Sequence, residues 1–301
     1  MHIKIGTRKS KLALWQANHV AEQLQAKGYN TELVHILSEG DKVLDTPLPL
    51  IGGKGVFTKA LDDALINGEI DIAVHSFKDI PTELPEGIAI GAILERENPA
   101  DVIVCRNGID FLNKENAIIA TSSNRRKSQW LQRYPNHQIV DIRGNVDTRI
   151  QKLKDSNWDA AIFAAAGLIR LEMEDEIAQS LDWMLHAPAQ GAVAVVYPEG
   201  DEAIFNALQY LHHLETAACT LAERDFLNEL SGGCSAPVGA EVHLVDGEMH
   251  FHGVVMDFKG KEKIEIELSK SLEEANGIGR EAAQLALAQG ADELITASKN
   301  D

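Results

Sequence analysis

Residues 70–81 read Ile-Asp-Ile-Ala-Val-His-Ser-Phe-Lys-Asp-Ile-Pro, and this segment carries the clearest signal of the fold class. Its first part, Ile70 to His75, is almost continuously apolar, which is typical of a strand in a sheet that is covered on both faces. Lys78 and Asp79 follow the apolar part, and Pro81 ends the segment. We therefore predict a central strand of an α/β sheet with a Lys-Asp pair at its carboxyl end.

Strands and helices alternate on both sides of this stretch. On the amino-terminal side, Ile3 to Thr7 is predicted to be a strand, and Ser10 caps a helix from about Lys11 to Lys27. On the other side, the polar segment Glu95 to Pro99 indicates a domain crossover, and a second alternating set runs from Ala117 to Ala165. This alternation predicts two doubly wound, mostly parallel sheets.

The last third of the chain has a different pattern. A predicted helix from about Leu214 to Leu230 leads into Gly232-Gly233-Cys234. Turn signals at Asp246-Gly247 and Lys259-Gly260 are flanked by alternating apolar and polar residues, which predicts hairpins, and a closing helix follows. We expect a small α+β domain with an antiparallel sheet.

Composition narrows the class of protein. The chain has 301 residues, 45% of them hydrophobic, so it is long enough for two or three domains with their own cores. The formal net charge of −18 argues against a general nucleic-acid or membrane binder. Three cysteines (Cys105, Cys219 and Cys234) without metal-ligand spacing fit a reducing compartment, and no secretory signal is evident. We expect a cytoplasmic protein without a metal site or a transmembrane segment.

The arginines are unevenly distributed for such an acidic chain. Of eleven, five besides Arg133 fall between Arg125 and Arg170, near predicted junctions of strands and helices. A single arginine of this kind usually lies in a solvated surface pair, but a series at successive junctions favours an anionic ligand, because the guanidinium fork matches a carboxylate. Ligands of doubly wound sheets bind beyond the carboxyl ends of the strands, where this sequence places Arg8, Lys78-Asp79, Ser122-Ser123 and Arg143.

Four local motifs each leave two interpretations open. Gly52-Gly53-Lys54-Gly55 lacks the spacing of a nucleotide-binding loop and is most simply a flexible loop before a helix. Lys78-Asp79 is either a solvated pair or a site for proton transfer and cation stabilisation. Thr121 to Arg126 is either an ordinary helix cap or an anion site at a helix N-terminus. Cys234 is either a small buried hydrophobe or an accessible thiol.

Taken together, the motifs of this chain resemble the porphobilinogen deaminase (hydroxymethylbilane synthase) family over nearly the whole length. The resemblance rests on these segments in the family's order: Thr7-Arg8-Lys9-Ser10 with Leu12-Ala13-Leu14-Trp15-Gln16, Gly52-Gly53-Lys54-Gly55, Asp71 to Pro81, Thr121-Ser122-Ser123-Asn124-Arg125-Arg126, Arg143-Gly144-Asn145-Val146 with Thr148-Arg149, Ala166-Gly167-Leu168 with Arg170, Gln190-Gly191-Ala192, and Gly232-Gly233-Cys234. Each segment is weak evidence alone, but so many in order are specific.

The resemblance implies a transferase that condenses four porphobilinogen molecules head to tail, releases ammonia and yields the linear tetrapyrrole hydroxymethylbilane. It also implies a dipyrromethane cofactor joined to Cys234 by a thioether, and a monomer that binds neither nucleic acid nor membrane. Each pyrrole carries an acetate and a propionate, so an enzyme-bound chain of six rings would bring about twelve carboxylates that need charged partners.

The site residues follow from the same resemblance. Asp79 is implied as the catalytic carboxylate, which stabilises positive charge on the pyrrole nitrogens. Lys54 and Gln190 are implied loop contributors. The implied binders of cofactor and substrate carboxylates are Arg8, Ser10, Lys78, Ser122, Ser123, Arg125, Arg126, Arg143, Arg149 and Arg170.

The family architecture implies three domains. Their expected ranges are residues 1–94 with 192–209 (α/β), residues 99–187 (α/β), and residues 214–301 (α+β, with the cofactor cysteine); the two α/β domains are expected to be similar to periplasmic binding proteins. Three positions depart from the commonest family pattern: Phe77 replaces a frequent methionine, Asn124 a usual leucine, and Leu50 a lysine of some members.

Two rival functions remain at the level of sequence. One is a non-catalytic anion-binding module, because two-lobed periplasmic binding proteins share this kind of α/β pair. The other is a catalytically inactive relative, which the presence of Asp79 and the arginines argues against.

Overall fold

The structure is a computed structural model that describes residues 1–37, 58–230 and 236–297. The predicted Gly52–Gly55 loop with Lys54, the departure at Leu50, and the predicted anchor Cys234 lie outside the described residues. The strands are β1 (His2–Thr7), β2 (Asn30–His35), β3 (Ile72–Ser76), β4 (Ile88–Ile93), β5 (Asp101–Cys105), β6 (Ile118–Ala120), β7 (Gln138–Val140), β8 (Ala160–Ala164), β9 (Gln179–Ser180), β10 (Val193–Pro198), β11 (Val238–Val245), β12 (Glu248–Met256) and β13 (Lys263–Ser271). The helices are α1 (Lys11–Ala26), α2 (Lys59–Ile66), α3 (Asn124–Arg133), α4 (Val146–Asp155), α5 (Ala165–Ile169), α6 (Glu202–Leu208), α7 (Leu214–Glu229), α8 (Ile278–Ala288) and α9 (Ala291–Ala297).

The chain forms two compact units, the first made of Met1–Glu97 with Gly191–Ala217. Its five-stranded sheet has the order β2-β1-β3-β10-β4, in which β1 is parallel to β2 and β3, and β10 is antiparallel to β3 and β4. Strand β3 is central and its first four residues are buried, as the apolar stretch predicts. Helix α1 packs its apolar face, including Ala17, Val20 and Leu24, on one side of this sheet.

The second unit, Asn98–Gln190 with Ala218–Asp301, contains two sheets. The first sheet has the order β7-β6-β8-β5-β9, with β6 parallel to β7 and β8, and β5 antiparallel to β8 and β9. Trp130 of α3 is fully buried in one of the cores of this sheet, together with Ile103 and Ile162.

The second sheet of this unit is antiparallel, in the order β11-β12-β13. The turn between β11 and β12 is formed by Asp246 and Gly247, whose φ angles of 50° and 83° suit a two-residue hairpin turn. Helix α8 packs on the sheet through Ala282, Ala283 and Ala286, all fully buried. This is the small α+β domain that the turn signals predict.

These observations confirm the predicted fold class: two α/β sheets, each with a single reversed strand, and a separate antiparallel sheet near the carboxyl end. The division into three domains stays a prediction, because the two sheets that follow Asn98 belong to one compact unit. No helix among the described residues has the length and apolar character needed to span a membrane.

The reversed strands matter for the position of side chains. A strand that runs against its neighbours begins at the edge where they end. In the second unit, the first residue of β5, Asp101, is paired with Ala164 at the end of β8. In the first unit, β10 begins with Val193 opposite Ser76 at the end of β3. In each sheet, the start of the reversed strand therefore lies beside the carboxyl ends of its parallel neighbours.

Candidate active site

The first unit places Arg8 and Ser10 directly after the carboxyl end of β1. Thr7 is fully buried, and its hydroxyl donates to the carbonyl of Ala13 at 3.1 Å. The Ser10 hydroxyl accepts from the backbone N–H of Ala13 at 3.3 Å, which confirms Ser10 as the cap of α1. These two bonds fix the short segment between the strand and the helix, and Arg8 extends from it with a partly buried side chain.

Lys78 and Asp79 lie on a single turn of 3₁₀ helix, Phe77–Asp79, at the carboxyl end of β3. Phe77 is fully buried, and its N–H donates to the carbonyl of Ala192 at 2.9 Å. Ile80 on the other side of the turn is also buried. Because both flanking side chains anchor the turn in the core, Lys78 is left partly buried and Asp79 exposed.

The same geometry locates one departure from the family pattern. With none of its surface accessible, Phe77 is part of the core beneath the turn. Its effect is therefore on the support of Lys78 and Asp79, through packing volume.

His75 is a feature of this edge that sequence reasoning passed over. Its side chain is 6% exposed, and Nε2 has no hydrogen-bond partner among the described residues. Burial, and then the positive charge of Arg8, lower the pKa of His75 from 6.5 to about 4. The imidazole is therefore neutral near pH 7. The sequence does show a histidine within an apolar strand pattern. Whether its side chain points inward depends on how the strand pairs with its neighbours.

In the second unit, the serines of the Thr121–Arg126 motif are held by the protein. Ser123 caps α3, its hydroxyl accepting from the N–H of Arg126 at 3.4 Å. The Ser122 hydroxyl donates to the carbonyl of Ile142 at 2.9 Å and accepts from the N–H of the same residue at 3.0 Å. Ser122 thus joins the ends of β6 and β7, and its single hydroxyl proton is already donated.

Arg143 and Arg149 flank the start of α4. Arg143 follows the end of β7, and its partly buried side chain forms no hydrogen bond or ion pair within the described part of the chain. Arg149 donates from Nε to the carbonyl of Gly144 at 2.7 Å, which holds its guanidinium against the loop. Within the described residues, the guanidinium donors of Arg143 therefore stay available for a ligand, and Arg149 has a fixed direction.

Arg125 and Arg126 are buried and share Asp101. They are 4% and 7% exposed, and the Asp101 carboxylate between them is completely buried. Nη1 of Arg125 donates to Oδ2 at 2.5 Å, while Nε and Nη2 of Arg126 donate to Oδ1 at 2.9 and 2.7 Å. Burial by itself raises the pKa of Asp101, but the two guanidinium groups outweigh burial and hold that pKa well below its usual range.

This cluster carries an excess of positive charge. Among the described residues, one carboxylate faces the two guanidinium groups, which leaves one positive charge in a buried place. Nε of Arg125 is buried and has no hydrogen-bond partner among the described residues, although a buried donor normally has one. An added carboxylate would neutralise the excess positive charge and accept a hydrogen bond from Nε of Arg125, so the cluster suits an acidic ligand.

Gln190 and Arg170, two further predicted site residues, are also buried. Gln190 is almost completely buried and donates from Nε2 to Oδ1 of Asp101 at 2.9 Å and to the carbonyl of Pro99 at 2.7 Å. Arg170 is buried at the end of α5, the helix that follows β8. The structure thus brings Arg125, Arg126 and Gln190 together through Asp101, a residue that sequence reasoning missed.

Across residues 1–37, 58–230 and 236–297, no group of three or more His, Cys, Asp or Glu side chains is arranged to hold a metal ion.

Comparison with known proteins gives two adjoining matches to family models. Residues 3–206 match the model described as "Porphobilinogen deaminase, dipyromethane cofactor binding domain". Residues 217–288 match the model described as "Porphobilinogen deaminase, C-terminal domain".

Similar full-length proteins carry the same name. The porphobilinogen deaminase of Syntrophotalea carbinolica is 41% identical over 300 residues, covering 98% of this chain and 95% of that protein. The porphobilinogen deaminase of Geobacter metallireducens is 43% identical over 298 residues, covering 97% and 93%. Among solved structures, the methionine binding protein MetQ matches with a TM-score of 0.45 and 15% identity, covering 71% of this chain and 91% of that one.

Proposed function

The chain belongs to the porphobilinogen deaminase family, and we propose that it is a hydroxymethylbilane synthase. In the proposed reaction, four porphobilinogen molecules are joined head to tail on a covalently bound dipyrromethane, each with release of ammonia, and the linear tetrapyrrole is freed by hydrolysis. The observation that carries the proposal is the buried Asp101–Arg125–Arg126 cluster with its excess positive charge, because porphobilinogen and dipyrromethane are polycarboxylates.

Asp79 is the proposed catalytic residue. When ammonia leaves and when the next ring attacks, positive charge develops on pyrrole nitrogens of the reacting rings. A carboxylate held at that position stabilises the charged transition state more than the neutral ground state, and this difference is what accelerates a reaction. The anchored turn at Phe77–Asp79 supports the assignment, because it presents an exposed carboxylate from a rigid base.

The carboxylates of substrate and cofactor are proposed to bind at both sheet edges. The binders at the first edge are Arg8, Ser10 and Lys78, and those at the second are the Ser122-Ser123 cap with Arg125, Arg126, Arg143, Arg149 and Arg170. Ser122 would contribute by holding the cap in place, because its hydroxyl proton is already donated to the Ile142 carbonyl. Arg143, with no partner among the described residues, is suited to a direct bidentate contact. The buried Nε of Arg125 suits a carboxylate that enters the cluster.

The residues present fit the dipyrromethane group, since its acidic side chains match this surplus of guanidinium donors. When bound, dipyrromethane supplies the pyrrole carbon to which the first substrate unit is joined. Cys234 is the proposed attachment point, and Lys54 and Gln190 are proposed to act from loops. Gln190 would act indirectly, because its amide is already used on Asp101 and Pro99.

The catalytic assignment is tested by Asp79→Asn. We expect the purified variant to carry the cofactor but to lose about 10²- to 10³-fold in kcat, the usual effect of removing a charge-stabilising group. Glu86→Gln, which neutralises another exposed carboxylate in the first unit, is the matched control and should turn over normally. Near-normal turnover of Asp79→Asn would overturn the role of Asp79.

The covalent anchor is tested by intact mass. We expect purified protein to exceed its polypeptide mass by two pyrrole units, and Cys234→Ser to lose the excess. A bare polypeptide mass for the unmodified sequence, with porphobilinogen still bound in a calorimeter, would instead support the non-catalytic anion-binding module.

We also propose that the enzyme is a cytoplasmic monomer. The odd set of three cysteines supports a reducing compartment. Analytical ultracentrifugation tests the oligomeric state, and a dimer at micromolar concentration would refute it.

A further inference from the structure

Asp101 is a completely buried carboxylate in the second unit, at the edge of the sheet where the proposed carboxylate binders lie. It begins β5 and faces Ala164, the last residue of β8, so it lies at the edge where β6 and β8 end. The Thr121–Arg126 segment starts from the same edge, directly after β6. Asp101 therefore contacts the first turn of α3 from its position at this edge of the sheet.

The carboxylate accepts hydrogen bonds from three side chains that lie 24, 25 and 89 residues from Asp101 in the sequence. Arg125 uses Nη1 on Oδ2, while Arg126 uses Nε and Nη2 on Oδ1 in the side-on arrangement that fixes the plane of a guanidinium. Gln190 adds a bond to Oδ1 at 2.9 Å. Asp101 thus sets the direction of both arginines at once.

Both arginines also donate to backbone carbonyls. Nη1 of Arg125 also donates to the carbonyl of Leu185 at 2.7 Å, and Nη1 of Arg126 donates to the carbonyl of Ile162 at 2.9 Å. Gln129 of α3 pairs with both the N–H and the carbonyl of Leu185, at 2.8 and 2.9 Å. The guanidinium groups are therefore clamped between a carboxylate and fixed backbone carbonyls.

Asp101 also makes this placement electrostatically tolerable. Arg125 and Arg126 are adjacent, and they lie in the first turn of α3, where the helix dipole disfavours positive charge. Two unpaired guanidinium groups so close together in a buried place would repel each other and turn toward water. With Asp101 present, one positive charge and the Nε donor of Arg125 remain for a ligand.

Gln190 is itself held in place by a second buried carboxylate. Its neighbour Ala189 has a φ of 61°, a conformation that costs energy for a residue other than glycine. The Ala189 N–H donates to Glu223 Oε2 at 2.7 Å, and the Val242 N–H donates to Oε1 of the same residue at 3.0 Å. Glu223 thereby stabilises the turn that delivers the Gln190 amide to Asp101.

We propose that Asp101 is a positioning residue that orients Arg125 and Arg126 for the carboxylates of substrate and cofactor, with Gln190 as its support. This inference rests on the proposed role of the two arginines as carboxylate binders. Asp101 touches neither substrate nor cofactor. Its contribution is to hold two like charges together in one fixed geometry.

The test compares Asp101→Asn with two other variants. Asp101→Asn keeps the shape but removes the charge and directs an NH₂ group at one guanidinium, and Gln190→Met removes the supporting amide while leaving Asp101 charged. The matched control is Asp159→Asn, another carboxylate of this unit, which accepts from Lys114 at 2.5 Å and from the Ile118 N–H at 2.9 Å. Each is measured by intact mass for cofactor content, by circular dichroism, and by KM and kcat of the cofactor-loaded fraction.

For folded Asp101→Asn we expect either mostly cofactor-free protein or, in the loaded fraction, a KM for porphobilinogen raised at least about 10-fold with a smaller change in kcat. Gln190→Met should shift the same quantities in the same direction by a smaller factor, and it remains informative if Asp101→Asn does not fold. Asp159→Asn should keep the normal KM and cofactor content. Full cofactor content with an unchanged KM in both Asp101→Asn and Gln190→Met would overturn the proposal.

Arg126→Met separates this proposal from the one on which it rests. If Arg126→Met loses cofactor or substrate affinity while Asp101→Asn does not, the positioning role of Asp101 fails alone. If Arg126→Met behaves normally, the arginine itself is not a carboxylate binder.

Discussion

Acidification should destabilise this protein through His75. Its imidazole is 6% exposed on β3, and Nε2 has no hydrogen-bond partner among the described residues. Burial and the charge of Arg8 lower the pKa of His75 from 6.5 to about 4, so the folded protein resists protonation that the unfolded chain accepts.

The sign and size follow from proton linkage. Between pH 6.5 and about 4, the unfolded state binds more protons at His75 than the folded state, so stability falls as the pH falls. For these two pKa values, the free energy of unfolding should decrease by about 2 kcal/mol between about pH 7 and about pH 5 from this residue alone. His75 causes no further loss of stability once the pH is below both of its pKa values, that of the unfolded chain and that of the folded protein.

The assay is urea unfolding of the wild type and His75→Gln at several pH values in this range. Other titrating groups are common to both proteins, so the pH dependence of the difference between their unfolding free energies isolates His75. We expect that difference to change by about 2 kcal/mol over the range. His35→Gln, which replaces an exposed histidine of β2, is measured alongside as the control for removing a histidine from the first unit. Parallel curves for the wild type and His75→Gln would refute the reasoning.

Two other predictions concern packing and thiol reactivity. Gly279→Ala should lower the free energy of unfolding by about 3 kcal/mol or prevent folding of the C-terminal region, because the new Cβ would lie 1.9 Å from the carbonyl oxygen of Ala222, a backbone atom that cannot turn aside. A thermal melt with an unchanged Tm would contradict this close approach. Burial raises the pKa of Cys105 from 9.0 to about 11, so iodoacetamide should modify it about 100-fold more slowly in the native protein than in the unfolded chain near pH 8. Peptide mass mapping would detect the contrary result, equal rates.

Much of the fold could be predicted from the spacing of apolar residues and from the residues that form turns and helix caps. Helices α3 and α4 both lie within the stretch from Ala117 to Ala165, where the sequence predicts alternating strands and helices. Each begins after a short polar segment that ends in a cap-forming residue, Ser123 or Asn145, so its start is a local signal. Strand β3 lies within two residues of the apolar stretch that predicted it. These elements follow from interactions between near neighbours, which a sequence displays directly.

The residues of the candidate site could be proposed from the sequence, but their geometry could not. Residue types at strand ends and the family resemblance point to Asp79 and the arginines, and their roles stay predictions. Nothing local shows that the Ser122 proton is donated to Ile142, or that Arg143 has no partner among the described residues while Arg149 has one. Hydrogen-bond partners 5 to 20 residues apart depend on how strands pair and loops turn.

The α/β class, the separate antiparallel sheet, the family and the acidic character of its ligands could all be predicted from the order of residue types along the chain. The tertiary structure alone decided that Asp101, at the start of a reversed strand, meets Arg125 and Arg126 across more than twenty residues, and Gln190 across 89. The physical reason is that charge in a buried place is balanced by whichever group the strand order brings there. A sequence lists the charges, but their pairing is a property of the folded sheet.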